Sequence, residues 1–180
     1  LTDGVIVVDN EFKINLINPA AAAMTGWPIE DARGVDARLV AKLSQQNGQD
    51  IESEENPLTV VVKQQKPKSQ TLQMTSRDGK KRVVSLAISP VVVNGAMTGA
   101  VAVVRDISQQ FAAEQQRAEF ISTASHEMRT PVAAIEGYLA LALNPKVSTI
   151  DDRAKGYLEK AHTSTQHLGK LFQDLLTSAK

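Results

Sequence analysis

The chain has 180 residues, a length that fits one or two small domains. Lysine and arginine together number 20 and so do aspartate and glutamate; the balance is 12 against 12 up to Ile107 and 8 against 8 from Ser108 onward. No basic face is implied, which argues against nucleic acid or an anionic membrane surface as a partner.

There is no cysteine, so neither a disulfide framework nor a thiolate site is available, and a reducing compartment fits. No apolar run approaches the ~18 residues that span a bilayer, and no signal-peptide pattern opens the chain. Leu1 falls within a strand pattern and Lys180 within a helical one. A fragment of a longer protein is therefore expected, cytoplasmic, without direct membrane contact of its own and compatible with membrane segments upstream.

Gly4 to Asp9 is a short β-branched run that ends in the turn signal Asp9-Asn10-Glu11-Phe12. Lys13 to Ile17 alternates polar and apolar, so the pair predicts a hairpin of half-buried strands. Asn18-Pro19 supplies an N-cap and a first-turn proline for an Ala-rich helix to Thr25, which Gly26 closes. Pro28 to Ala32 predicts a second helical turn stopped at Gly34, and Val35 to Leu43 is compatible with a third.

Gln45 to Asn56 is polar and acidic. Asp50, Glu52, Glu54 and Glu55 lack the glycine-turned spacing of a cation site, so a solvated loop is expected and no metal. Pro57 opens a helix to Gln65. Three strands follow, Ser69 to Thr75, Arg82 to Ser89 and Met97 to Val104, with Asn94-Gly95 the best hairpin dipeptide in the chain.

Two strands, several short helices and three antiparallel strands make an α+β domain. Four pieces of it, Asp3-Gly4-Val5-Ile6-Val7-Val8-Asp9, Asn18-Pro19-Ala20-Ala21, Thr25-Gly26 and Asp78-Gly79-Lys80, together resemble a PAS sensor domain. The closing Arg105-Asp106-Ile107-Ser108 is similar to the signal exit motif of that family, with Ser where Thr is common. The resemblance implies a PAS-like antiparallel sheet domain over residues 1–107.

All three histidines lie beyond residue 125. The sensor core thus has no imidazole or cysteine for haem iron, and none for the cysteinyl-flavin chemistry of light-sensing relatives. Trp27, the one tryptophan, reads as a core or surface anchor. Two readings of the core stay open: a small organic ligand, or a packed interior serving as a dimerisation and relay module. No cofactor is expected in the fragment.

From Ser108 the period changes. Ala118, Ser125, Val132 and Leu139 fall at heptad position a, and Ile121, Met128, Ile135 and Ala142 at d. Asn144-Pro145 ends that helix, and the Ser148 to Asp152 segment offers caps for the next. The second helix carries Ala154, Ala161, Leu168 and Leu175 at a, Tyr157 and Leu171 at d, with Leu158 and Phe172 beside them. Residues 108–180 therefore predict a linker helix running into a long two-helix hairpin. One hairpin cannot bury both seams, so a homodimer forming a four-helix bundle is expected.

Within the first of these helices stands Ser125-His126-Glu127-Met128-Arg129-Thr130-Pro131. His126 and Thr130 share a face one turn apart, and Glu127 lies over Thr130. A zinc-peptidase reading of His126-Glu127 needs a second histidine at position 130, which is Thr130, so it fails. The heptad puts His126 at b, facing water, where a neutral ring nitrogen is a usable nucleophile. Glu127 can hold the proton of the other nitrogen and compensate the imidazolium that forms. His162 and His167 lie in no motif, and a solvated setting is expected for both.

The seven residues resemble the H-box of bacterial sensor histidine kinases and depart from it only at Met128, where leucine is usual. The resemblance implies that His126 is the phospho-acceptor. Arg129 is a candidate phosphate contact, or a residue flanking the bundle. Thr130 would orient a water for the reverse chemistry, and Pro131 would kink the helix beside the acceptor. It also implies an Asp-bearing response regulator as partner, and an ATP-binding catalytic domain of the same protein.

No phosphate-cradling glycine run occurs here, since Gly137, Gly156 and Gly169 are the only glycines after Ser108 and all lie in helices. ATP would be bound by the parent, not by this fragment. The alternative is a catalytically silent PAS-led scaffold, which would have no need of Glu127 or Thr130.

Overall fold

Alternation of apolar and polar side chains governs the first hundred or so residues. In β1 (Gly4–Asp9) the side chains of Ile6 and Val8 point to a buried face, while Val5 and Val7 lie on the other, half-covered one. The computed structural model describes residues 2–178 and divides into two compact units, one ending at Phe111 and one beginning at Ala112. The expectations that the chain opens within a strand at Leu1 and closes within a helix at Lys180 fall outside the described residues.

The first unit is one six-stranded antiparallel sheet, in the order β2-β1-β6-β5-β4-β3. Its strands are β1, β2 (Ile14–Ile17), β3 (Lys42–Ser44), β4 (Lys68–Thr75), β5 (Lys81–Val93) and β6 (Ala96–Asp106). The buried face presents Leu72, Met74, Val84, Leu86, Ile88, Ala102 and Val104. The core also takes in Ala21 of α1 (Pro19–Thr25), Ala37 and Val40 of α3 (Ala37–Val40), and Leu58 and Val61 of α4 (Pro57–Gln64). Between them α2 (Ile29–Ala32) contributes Ala32. The core is nearly full. A void lined by apolar side chains including Leu43, Met74 and Leu86 measures about 20 Å³, room for at most about one water, and apolar voids stay dry.

Local chemistry explains the helix starts. Asn18 Oδ1 accepts the N–H of Ala21 at 2.8 Å and that of Val5 at 2.9 Å, and its amide donates to the Asp3 carbonyl at 3.0 Å. One side chain thus caps α1 and fastens it to β1. Pro19 fills the first helical position, and Gly26 ends the helix at φ +72°.

Two expectations need correction. The segment from Val35 to Leu43 is not one helix: after the single turn of α3 the chain extends, and Lys42 to Ser44 pair with Gln73 to Thr75 as an edge strand. The ladder of β4 supplies open backbone groups that outweigh the helical reading. Likewise β5 does not stop at Ser89 but runs through Pro90 to Val93, opposite β6. Beyond Ile88 it has only β6 beside it, the edge setting in which sheets accept proline. The Asn94-Gly95 turn is as expected, with φ of +52° and +80°.

Gly99 is where β6 comes closest to β1. A Cβ built there would lie 1.9 Å from the Val8 carbonyl oxygen. Gly99→Ala should therefore push the two strands apart and cost at least about 2 kcal/mol, the scale of overpacking a rigid site. Urea denaturation followed by far-UV circular dichroism checks this, and a loss under about 0.5 kcal/mol, typical of a harmless surface change, would contradict it.

Candidate functional site

The first unit ends in a built junction. Asp106 Oδ1 accepts from the Ser108 N–H at 2.9 Å and from its hydroxyl at 2.6 Å, and so holds the first turn of α5 (Ser108–Leu143). The other carboxylate oxygen of Asp106 lies 3.4 Å from Arg82 Nε. Arg82 in turn donates to the Met24 carbonyl at the end of α1, at 2.9 Å. Ser108 Oγ accepts the Val83 N–H at 3.0 Å, and the Ile107 N–H reaches the Val83 carbonyl at 2.9 Å. The start of α5 is thereby tied to β5.

Arg105 points elsewhere. It grips Asp3 through Nε at 3.0 Å and Nη2 at 2.6 Å, linking the last strand to the entrance of the first. That grip holds the Asp3 carboxyl below its usual range.

The sequence marks Arg105 and Asp106 as site residues, Asp3 and Ser108 only as members of motifs, and Arg82 only as the start of a strand. Arg82 has one short-range signal, its place at the mouth of a strand after the Asp78-Gly79 turn, and its partners are far away in sequence.

In the second unit His126, Glu127, Arg129, Thr130 and Pro131 all lie on α5, which remains helical on both sides of Pro131. Proline has no N–H, so the Glu127 carbonyl one turn earlier loses its helical partner. His126, Glu127 and Thr130 are exposed and, among the described residues, make no side-chain hydrogen bond or ion pair. The flanking seam residues Ser125 and Val132 are 2% and 7% exposed. His126 is therefore presented to solvent by a helix whose adjacent position is buried. Arg129 is engaged: Nη2 donates to Gln173 Oε1 on α6 (Asp152–Ser178) at 2.8 Å.

Helix α6 meets α5 with a different face from the one its heptad suggests. Leu158, Thr165 and Phe172, at e, and His162 and Gly169, at b, are half-buried. A Cβ on Gly169 would stand 3.5 Å from Val132 Cγ1. Tyr157, Leu168, Leu171 and Leu175, at a and d, stay exposed, as do Met128 and Ile135 on α5.

His162 therefore departs from the solvated setting expected of it. Its Nδ1 is shielded without a partner among the described residues, and its Nε2 lies 3.2 Å from the Gln166 side-chain nitrogen. His167 is exposed. Among the described residues no three His, Asp or Glu side chains converge as metal ligands, and no helix is long and apolar enough to cross a membrane.

Residues 1–112 match the PAS fold family, and residues 116–180 match the phospho-acceptor domain of His Kinase A. The chain belongs to the PAS fold family, with a histidine-kinase phospho-acceptor domain after it. Sensor protein kinase WalK of Staphylococcus haemolyticus (strain JCSC1435) is 28% identical over 181 aligned positions, which cover all of this chain and 28% of that protein. WalK of Staphylococcus aureus is 27% identical, covering all of this chain and 40% of that protein. The chain thus spans well under half the length of these relatives.

Solved structures agree on the fold of the PAS unit. A PAS domain from Colwellia psychrerythraea superposes with a TM-score of 0.51 at 23% identity, covering 61% of this chain and 89% of that one. The light-oxygen-voltage domain of a blue-light activated histidine kinase from Erythrobacter litoralis gives 0.50 at 16%, covering 60% and 98%.

The junction at the end of the PAS unit yields a test. Asp106→Ala removes the acceptor for the first turn of α5, a loss of about 0.5–2 kcal/mol for a capping group. Amide exchange at Ser108 and Ile107 should then quicken by about 2- to 30-fold while amides in β1 keep their rates. Unchanged exchange at Ser108 would show that the cap does not hold the helix start.

Proposed function

We propose that this chain is the sensor and phospho-acceptor portion of a histidine kinase whose parent phosphorylates His126 from ATP and passes the phosphoryl group to an aspartate of a response regulator. The observation that carries the reading is the exposed, unengaged trio of His126, Glu127 and Thr130 on one helix, beside a buried seam. In the first step a ring nitrogen of His126 attacks the γ-phosphorus of ATP. The P–N bond forms as the bond to the ADP oxygen breaks, and Glu127 takes up or compensates the proton on the other ring nitrogen. The chemistry needs positioning and charge compensation more than covalent help from the protein.

Thr130 has no charge to offer and serves the reverse reaction, holding a water in line with the aspartyl phosphate of a docked regulator. Arg129, held by Gln173, acts first as a tie between α5 and α6. Pro131 leaves one carbonyl free next to the acceptor and so lowers the cost of bending the helix there. ATP comes from a catalytic domain elsewhere in the parent, and we place this portion on the cytoplasmic side.

The exposed a and d side chains of α6 support a homodimer in which two hairpins complete a four-helix bundle. Leu171, 47% exposed in the single chain, sits in that interface. Leu171→Glu should convert the dimer to monomer at micromolar concentration, read by sedimentation velocity, with the PAS unit still folded. A wild-type chain that is already monomeric under those conditions would sink the bundle.

The chemical test separates two substitutions in the parent kinase, with radiolabelled ATP and a cognate regulator. Glu127→Ala should slow His126 phosphorylation by about 10²-fold or more, the scale of a missing acid–base group. Thr130→Ala should leave that step within a few-fold but strongly slow dephosphorylation of the regulator. Equal damage to both reactions by both variants would mean that the face is one shared docking surface.

A further inference from the structure

The described apolar void inside the PAS unit is small, about 20 Å³, whereas its outer wall carries a larger hollow. A half-open cleft of about 430 Å³ lies between α3, β3 and the loop over residues 45–56, within the size range of small-molecule sites. Its floor is fixed. Arg38 is held by Asp36 through Nε at 3.0 Å, stands 4.1 Å over the Phe12 ring and reaches Thr59 Oγ1 at 3.4 Å. That pair neutralises itself and leaves its members unavailable as free charges.

Four lining groups keep a polar atom uncommitted among the described residues, the exposed Ser53 hydroxyl being one. Lys42 and Asp50 make no ion pair or side-chain hydrogen bond among the described residues. Asn56 is 8% exposed. Its Oδ1 caps Leu58 at 3.0 Å, while its Nδ2 has no partner among the described residues. The cleft therefore offers one cation, one anion, one hydroxyl and one solvent-reached amide donor. Beside these are the apolar surfaces of Leu39, which is 68% exposed, Leu43 and Ile51.

We infer that this cleft binds a free amino acid with an aliphatic side chain: its carboxylate on Lys42 and the Asn56 amide, its ammonium on Asp50, its side chain on Leu39 and Ile51. The Asn56 Nδ2 is open to solvent and can exchange its water for a ligand carboxylate oxygen. Leu43 lines both this cleft and the internal void, so an occupant presses on the core through a single side chain. The inference deepens the sensor reading of the PAS unit and rests on it.

The experiment uses the whole 180-residue chain and isothermal calorimetry, with leucine, isoleucine and valine titrated singly. A second arm uses the N-acetylated and the C-amidated forms of each. At least one free amino acid should bind with Kd below about 1 mM, and blocking either end should weaken it at least about tenfold. Lys42→Ala and Asp50→Asn should each weaken it by a similar factor, and Glu52→Gln, outside the cleft lining, should not.

Two results would overturn the proposal: no binding by any of the three free amino acids, or binding that survives blocked ends or the two cleft variants. Because the readout is binding to a fragment without the ATP-binding domain, its failure leaves the phosphotransfer reading standing. Failure of that reading in turn leaves the calorimetry interpretable.

Discussion

In the helical unit Val132 of α5 lies opposite Gly169 of α6, and the face of α6 used there decides which stripe is left over. A Cβ at Gly169 would meet Val132 Cγ1 at 3.5 Å, an ordinary van der Waals distance, so this position lies on the face of α6 that is turned towards α5. The b and e positions are used within the hairpin, so the a and d positions are left for something else. A helix that spends one apolar stripe on its own partner and keeps a second in reserve is built for a bundle rather than for a pair. The same arrangement buries Ser125 and Val132 while leaving His126 in water, so the seam and the exposed face of His126 adjoin on α5.

The PAS unit is held together on a different principle. Its sheet is packed almost without voids, and interiors so packed transmit displacement rather than absorb it. At its end a single carboxylate, Asp106, joins three things: the first turn of α5, the guanidinium of Arg82 and, through Ser108, the backbone of β5. A shift of β5 relative to α1 would be felt at that carboxylate, since Arg82 also holds the Met24 carbonyl.

What could be read from the sequence was what is local. The cap at Asn18, the turn at Asn94-Gly95 and the seven residues from Ser125 to Pro131 each carry their meaning within one or two turns of chain. The exposure of His126 followed from the heptad alone. The rest depended on partners far away. Lys42 to Ser44 are a strand only because β4 runs beside them, and Arg82 matters only because Asp106 and Met24 come to it. The misreading of His162 had another cause: one apolar stripe was assigned to α6, whereas a helix with two neighbours needs two, and the second is made of the less obvious Leu158, Thr165, Gly169 and Phe172.

The strand order has a consequence for how the protein comes into being. β1 lies between β2 and β6, and Gly4 pairs with Val104. The first strand thus leaves the ribosome with one open edge and waits for a partner about a hundred residues behind it, on the order of 5–20 s at usual rates of synthesis. Such distant pairing is slow to form and exposes an edge while it waits. Helix α5 begins at Ser108, two residues after β6 ends at Asp106. Helix α5 therefore emerges only after every strand of the sheet has been made, and the PAS unit can fold before that helix exists.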